Sequence, residues 1–370
     1  MSASPLAPDT SIVLCMIVKN EADVIARCLE SVRPLLSAWL IVDTGSTDAT
    51  REIASQVLGE LPGEVVSRPW KDFGHNRTEA LELARPRAEY SLIIDADDTL
   101  ELPADLALPA LTEDAYAFRV RFGAVSYKRT QLLRNAKLWR YEGVLHEYPA
   151  CDGPFTRGEI AGITYVIGHE GARAKDPERF KRDAEILEAA LLDAPNDRRY
   201  VFYLAQSYRD ANMDVEALDR YEQRARMGGW EEEVFNALLE AAKARERLAE
   251  PFSAVSSAYL RAYESRPRRA EPLYELARYC RLQRRYALAC LYASAAFRIE
   301  RPDDALFVAE SVYSWRAKDE VAVSAYHVAD YELGRRLNEE LLASGVVPET
   351  ERARIRDNLG WCLRGLGRRG

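Results

Sequence analysis

From residue 11 to about residue 100, short apolar runs alternate with amphipathic stretches, the pattern of β-α-β units with a parallel sheet. SIVLCMIV (11–18) reads as a first strand. Residues 22–32 read as a helix with Val24, Ile25, Cys28 and Leu29 on one face. WLIVD (39–43) is a second strand, and TGSTDATREIASQVL supplies a glycine-containing turn and a helix capped by Ser46 or Thr47. EVVSRPW (64–70) is a shorter strand closed by Pro69, which has no N–H for a ladder. A helix over 74–87 follows, and YSLIID (90–95) is a strand that ends in acid. From Tyr116 the alternation in AFRVRFG (117–123), SYKRTQLLR (126–134) and ITYVIGH (163–169) predicts antiparallel strands of the same domain.

After Lys175 strand signals nearly vanish, and the remainder is expected to be helical throughout. Counted from Pro195, the positions Leu204, Ala205, Tyr208, Ala217 and Tyr221 fall at tetratricopeptide spacings. From Pro267, Leu276, Ala277, Ala289, Ala296 and Pro302 approximate them again, two periods of about 34 residues on. Between the two series, Tyr259, Ala262 and Pro267 fit the second helix of a repeat whose first helix, over 231–248, is lengthened. Simple packing in a helical bundle also buries alanine and tyrosine, but recurrence in register favours repeats, with 303–366 as poorly matching capping helices. The expected organisation is a lead-in over 1–10, an α/β domain over 11–175 and helical repeats over 176–370.

Composition narrows the classes. The 370 residues are 48% hydrophobic and 30% charged, enough for two cores, and no apolar run approaches the roughly 20 residues that span a bilayer. The first ten residues have neither a basic region nor an apolar stretch, so they read as a disordered segment rather than a signal peptide, and a cytoplasmic location is expected. None of the six cysteines forms a C-x-x-C pair, which points to buried thiols rather than zinc or disulfides. A net charge of −8 without a basic stripe argues against a nucleic-acid partner.

Candidate chemistry gathers at one edge of the predicted sheet. Asp95, Ala96, Asp97 and Asp98 follow a buried strand, Asp43 ends another, and Lys19, Asn20 and Glu21 follow the first. In an open α/β sheet this carboxyl edge is where ligands bind. A D-x-D beyond a strand can hold magnesium or manganese shared with a diphosphate, because hard cations prefer oxygen. A solvated acidic turn is the alternative. Asp43 and Asp48 can likewise serve only an Asx-turn and a helix cap.

CMIVKNEADVIARCLESV, IVDTGSTDAT, FGHNRTEAL and LIIDADDTL together resemble inverting glycosyltransferases of family 2, which have the GT-A fold. The match covers roughly 11–175. The subgroup pairs this domain with tetratricopeptide repeats and is similar to lipopolysaccharide-core glucosyltransferases and peptide S-glycosyltransferases. The resemblance implies a UDP-sugar donor and a divalent cofactor, Mn2+ or Mg2+. It puts Asp43 on the base, Arg77 with Asn76 beside the nucleotide, Asp95 and Ala96 near the ribose, and Asp97 on the metal, with Lys19, Asn20 and Glu21 completing the nucleotide-sugar site. Asp98 stands where such sequences commonly have Glu.

Within QLLRNAKLWRYEGVLHEYP (131–149), Gly143, His146 and Glu147 resemble the family's segment before the acceptor site. Transfer needs a base to take the acceptor proton. Glu147 is the first choice and His146 the substitute, and either can instead be a residue that fixes a loop. His169, before a glycine, is a candidate third ligand of the ion on Asp97, or a strand-end histidine held by backbone. His75 and His327 read as surface or packing residues. Arg173, Lys175, Arg179, Lys181 and Arg182 read as a solvated helix face.

The expected activity is inverting, metal-dependent transfer from a UDP-sugar to a peptide or protein side chain. Tyr200, Tyr203, Arg209, Tyr274, Arg278 and Arg281 lie on the helices that line a repeat groove. A saccharide or lipopolysaccharide-type acceptor is the alternative, and a non-catalytic repeat scaffold is the competing class. Repeats of this kind also pair, which leaves a homodimer open.

Overall fold

The computed structural model describes residues 10–106, 108–123, 125–168, 170–172 and 176–367. Packing divides the chain into two units, one of residues 1–123 and 127–203 and one of 124–126 and 204–370. Composition changes at Lys175, which lies outside the described residues. The first compact unit nevertheless runs on to Tyr203.

In the first unit, β1 (Ile12–Val18), β2 (Ala38–Asp43), β3 (Gly63–Ser67) and β4 (Tyr90–Ile93) form a parallel sheet in the order β3-β2-β1-β4. β1, β2 and β4 are buried almost throughout, which is why they read as continuous apolar runs, whereas β3 is largely uncovered. Alternate residues of β1 serve opposite faces. Ile12, Leu14 and Met16 pack with Ile25, Cys28, Leu29 and Ala54 of α1 (Ile25–Val32) and α2 (Thr50–Leu58). Val13 and Cys15 pack instead with Ala80, Leu81 and Ala84 of α3 (Phe73–Ala84).

Six further strands follow, β5 (Thr99–Glu101), β6 (Ala115–Phe122), β7 (Val125–Arg134), β8 (Trp139–Glu142), β9 (Tyr148–Cys151) and β10 (Arg157–Val166). The sheet continues from β4 as β7-β6-β10-β5, while β8 and β9 form a separate hairpin. β7 runs antiparallel to β4, as the alternation predicts. β10 meets the expectation of antiparallel pairing against β5 but not against β6, to which it runs parallel with a register break between Glu159 and Thr164. The reason is the β8–β9 excursion, a crossover that returns the chain in the direction of β6. α4 (Arg179–Asp193) and the first turns of α5 (Arg198–Asp210) complete the unit.

The second unit is a tetratricopeptide-like run of α6 (Asp214–Arg226), α7 (Glu231–Arg247), α8 (Phe252–Ser265), α9 (Glu271–Leu282), α10 (Tyr286–Phe297), α11 (Ala317–His327), α12 (Tyr331–Ala343) and α13 (Glu349–Gly367), in which each of α6 to α9 packs on the helix that follows it, as do α10 on α11, α11 on α12 and α12 on α13. Ala217, Tyr221, Tyr259, Ala262, Ala277 and Ala289 are wholly buried, and α7 has 17 residues against 12 in α9. The expectation of helix throughout fails after α10. There Val308–Ala309 (β11) pair antiparallel with Val125 and Ser126, and a π-helical turn over Val312–Arg316 leads into α11. Buried charges hold this stretch. Arg269, fully enclosed, donates to Glu271, Asp304 and the carbonyls of Leu306 and Phe307, and Arg266 donates to both oxygens of Asp304. Among the described residues no helix is long and apolar enough to cross a membrane.

Candidate active site

The loops after β1 and β2 are knitted together at the carboxyl edge of the sheet. Asn20, in the left-handed region with φ 57°, donates its backbone N–H to Ser46 Oγ and accepts from the Thr47 N–H at Oδ1. Glu21 N–H donates to Thr50 Oγ1, and Ala22 N–H to Asp48 Oδ2. Ser46 and Thr47 therefore do not cap α2, because Asn20 engages them. The N-cap position is held by Ala49, which offers no side-chain acceptor, and Asp48 just before it accepts the Thr50 N–H at 3.1 Å. The Glu21 carboxylate accepts the Ala172 N–H, and Lys19 is exposed. Asp43 is only 2% exposed, and its oxygens accept the N–H groups of Gly45 and Ser46, an Asx-turn that also fixes the loop.

α3 brings two predicted residues into different roles. Asn76 is fully buried, with its amide spent on the backbone N–H of Lys71 and carbonyl of Pro69. Arg77, one residue on, reaches the strand edge. Its Nε donates to Glu147 Oε1 and its Nη2 to Asp95 Oδ1, both at 2.5 Å, and the guanidinium lies 5.7 Å from the Tyr141 ring centre. Against the opposing effect of burial, Asp95 and Glu147 hold Arg77 firmly charged. The carboxyl edge of β4 and the loop between β8 and β9, distant in sequence, thus meet on one cation.

The other two acids beyond β4 differ. Asp98 is buried, accepting from the Tyr165 hydroxyl and the Gly168 N–H, so it pins the end of β10 to that of β4. Burial and the charge of Asp95 push its carboxyl up to about 7, despite the Arg129 guanidinium 3.6 Å away. Asp97 is also shifted upward, by burial and then by Asp95. Buried Ala96 separates it from Asp95. A Cβ on Gly171 would sit 2.6 Å from Asp97 Oδ2, and one on Gly168 would strike the Asp97 carbonyl, so Asp97 leaves room only for glycine at these two positions.

Asp95 and Asp97 offer hard oxygen donors one residue apart, and the shift on Asp97 reflects the charge of Asp95 as well as burial, a set that fits a divalent cation shared with a diphosphate. Among the described residues no three His, Cys, Asp or Glu side chains are arranged to enclose an ion. The third ligand suggested by sequence, His169, lies outside the described residues, as do Arg173 and Lys175.

His146 and Glu147 sit between β8 and β9. Glu147 turns inward to Arg77. His146, with φ 51°, is exposed, its ring stacked on Tyr203 at 3.9 Å. Two cations escaped the sequence reading. Arg129 of β7 packs 4.4 Å over the Tyr165 ring beside Asp98, and its Nε is buried with no acceptor among the described residues. Arg27 of α1 donates to the Asp97 carbonyl and to Glu170. The signal for Arg129 was an arginine between the tyrosine and glutamine of an alternating strand.

Known proteins bear on this geometry. A TPR repeat-containing protein of Synechococcus elongatus is 34% identical over 202 residues, covering 50% of this chain and 49% of its own. The SPbeta prophage-derived glycosyltransferase SunS of Bacillus subtilis is 25% identical over 228 residues, covering 57% of this chain and 52% of its own. The chain thus spans about half the length of the curated relatives it matches. A solved tetratricopeptide repeat protein from Parabacteroides merdae superposes with a TM-score of 0.39 at 17% identity, over 51% of this chain and 70% of that one. Residues 13–144, which hold β1 to β8 and the acids beyond β4, match Glycosyl transferase family 2, so the first unit of this chain carries a family 2 glycosyltransferase domain.

Proposed function

We propose that this chain is an inverting, divalent-metal-dependent glycosyltransferase that moves a sugar from a UDP-sugar to a peptide or protein side chain. The observation that carries the reading is the convergence of Asp95 and Glu147 on Arg77 at the carboxyl edge of a family 2 domain. It puts a donor-side carboxylate and a candidate base on a common support. The acceptor hydroxyl or thiol attacks the anomeric carbon as the bond to the diphosphate oxygen breaks. The electron pair leaves with UDP, and the acceptor proton passes to Glu147. Glu147 fits this role better than His146 because its carboxylate is bound to Arg77, which also holds Asp95, whereas the His146 ring faces Tyr203. A divalent cation, held by Asp97 with Asp95 nearby, would supply neutralisation of the charge growing on the diphosphate. Asp43 and the loop it fixes are the proposed support for the base.

The peptide acceptor rests on the resemblance to peptide S-glycosyltransferases and on recruitment by the helices. One observation favours a second reading, a saccharide acceptor chosen by the first unit alone. Arg278 and Arg281, two of the proposed groove residues, already pair with Glu246 and Glu320. Calorimetry with UDP and manganese tests the donor assignment, and absence of binding at millimolar ligand defeats it. A screen of UDP-sugars for metal-dependent hydrolysis, followed by mass spectrometry of peptides and NMR of the product anomer, tests the rest. Single displacement requires a β product from an α-linked donor, and an α product overturns it.

A further inference from the structure

The loop that carries Glu147 is held from an element far along the chain. Gly143 at φ 109° and His146 at φ 51° bracket it, and a non-glycine residue in the left-handed region persists only where its surroundings over-determine it. Those surroundings are the first turns of α5. Arg199 Nε and Nη2 both donate to the His146 carbonyl, at 3.2 and 2.6 Å. The same guanidinium lies 4.8 Å from the ring centres of both Tyr148 and Tyr203. Tyr203 in turn stacks on the His146 imidazole at 3.9 Å with planes 8° apart. One face of α5 therefore grips the backbone carbonyl and the side chain of the residue next to Glu147, and a ring of the residue after it.

We propose that Arg199 and Tyr203 are positioning residues that clamp the 143–148 loop and so keep the Glu147 carboxylate on Arg77. The positioning role rests on the reading of Glu147 as the base of sugar transfer. Arginine suits the clamp because its planar fork gives two donors to one acceptor while its faces pack on aromatic rings, which a lysine ammonium does not do. Neither residue touches the reacting atoms. They act through the loop, where a displacement near 1 Å costs on the order of 100-fold in rate.

The experiment compares full-length Arg199→Ala, Arg199→Lys, Tyr203→Ala and Tyr203→Phe with the parent. It uses hydrogen exchange of the peptide covering 143–149 and steady-state UDP-sugar hydrolysis. Tyr286→Ala is the matched control, because Tyr286 stacks on His327 with nearly the same geometry, at 4.0 Å and 8°, inside the second unit. In Arg199→Ala and Tyr203→Ala, exchange over 143–149 is expected to accelerate and kcat to fall by about 10- to 100-fold. Donor KM should stay within about twofold. Tyr203→Phe should restore most of the rate, Arg199→Lys little, and Tyr286→Ala should match the parent in both measurements. Unchanged exchange in the alanine variants overturns the clamp. Faster exchange with unchanged kcat overturns the positioning role, and the same losses in Tyr286→Ala would reduce the effect to general destabilisation and overturn it too. If the parent turns over no UDP-sugar, the functional reading fails, while the exchange result still decides the clamp.

Discussion

Both units bury charge, and they do so to opposite ends. Beyond β4, three carboxylates, Asp95, Asp97 and Asp98, stand within four positions of the chain. Asp97 and Asp98 shift upward because burial and the neighbouring Asp95 both oppose their ionisation. Among the helices the partners match. Burial acts against Glu240 as well, but Lys243 and Arg209 bring its carboxyl down to about 2. Asp304 also stays below its usual range, with Arg266 and Arg269 outweighing burial. The difference separates charge kept to hold the fold from charge left uncompensated at a site. Structural pairs satisfy one another, whereas carboxyls held above their usual range are what functional sites commonly carry.

The comparison can be broken first in the helices. Arg269→Ala takes the guanidinium away from Glu271 and from the carbonyls of Leu306 and Phe307, leaving Asp304 to Arg266, and is expected to cost about 3–5 kcal/mol, read from denaturant unfolding, without altering UDP affinity. A loss below about 1 kcal/mol would mean that the buried network is not structural. At the strand edge the signature should be reversed. Asp97→Asn should lower kcat/KM for UDP-sugar hydrolysis by about 10²- to 10³-fold with an unchanged unfolding midpoint, and near-parental turnover would sink the assignment.

A third prediction uses the sign of the shifts in the second unit. A carboxyl whose folded-state value is depressed contributes stability that is fully present above its unfolded value and is lost as pH falls through the folded one. For Glu240 that interval runs from about 4.5 down to about 2. Circular dichroism should therefore show acid unfolding of the helices across this window, and Glu240→Gln should flatten its slope. The smallest effect is expected at the surface. Arg335→Ala removes the ladder from Arg335 to the exposed Glu332 and Glu339 on α12, and should leave the unfolding midpoint where it is.

Much of the fold was legible because burial writes itself into residue type. The doubly covered β1, β2 and β4 are unbroken apolar runs, and the close crossings of the repeats fall at Ala217, Ala262 and Ala289. Even the lengthening of α7 could be read. Strand direction could not. The alternation in β10 reports one covered face and says nothing of whether its neighbour runs with it or against it, and the short β5, β8 and β9 leave too few residues for any period. At the site, the acids beyond β4 were visible as acid following a buried strand. Side-chain direction was not, so Asn76 and Arg77 looked equivalent although one anchors backbone and the other joins two loops. Arg199 and Tyr203 were hidden for a related reason. Their partner, His146, is more than fifty positions away, and no local pattern encodes such a distance.

The brief excursion of the chain at Val125 and Ser126 into the second unit has a consequence for the timing of synthesis. These residues pair with Val308 and Ala309, and the Ser126 hydroxyl donates to Glu310, 184 positions later. At translation rates of about 5–20 residues per second, their partners emerge on the order of tens of seconds afterwards. Once residue 203 has been made, the first unit is complete in sequence while the start of β7 still lacks the partner it finds in Val308 and Ala309. A ribosome pause before residue 308 would prolong the interval in which this strand end is open to pairing with another strand.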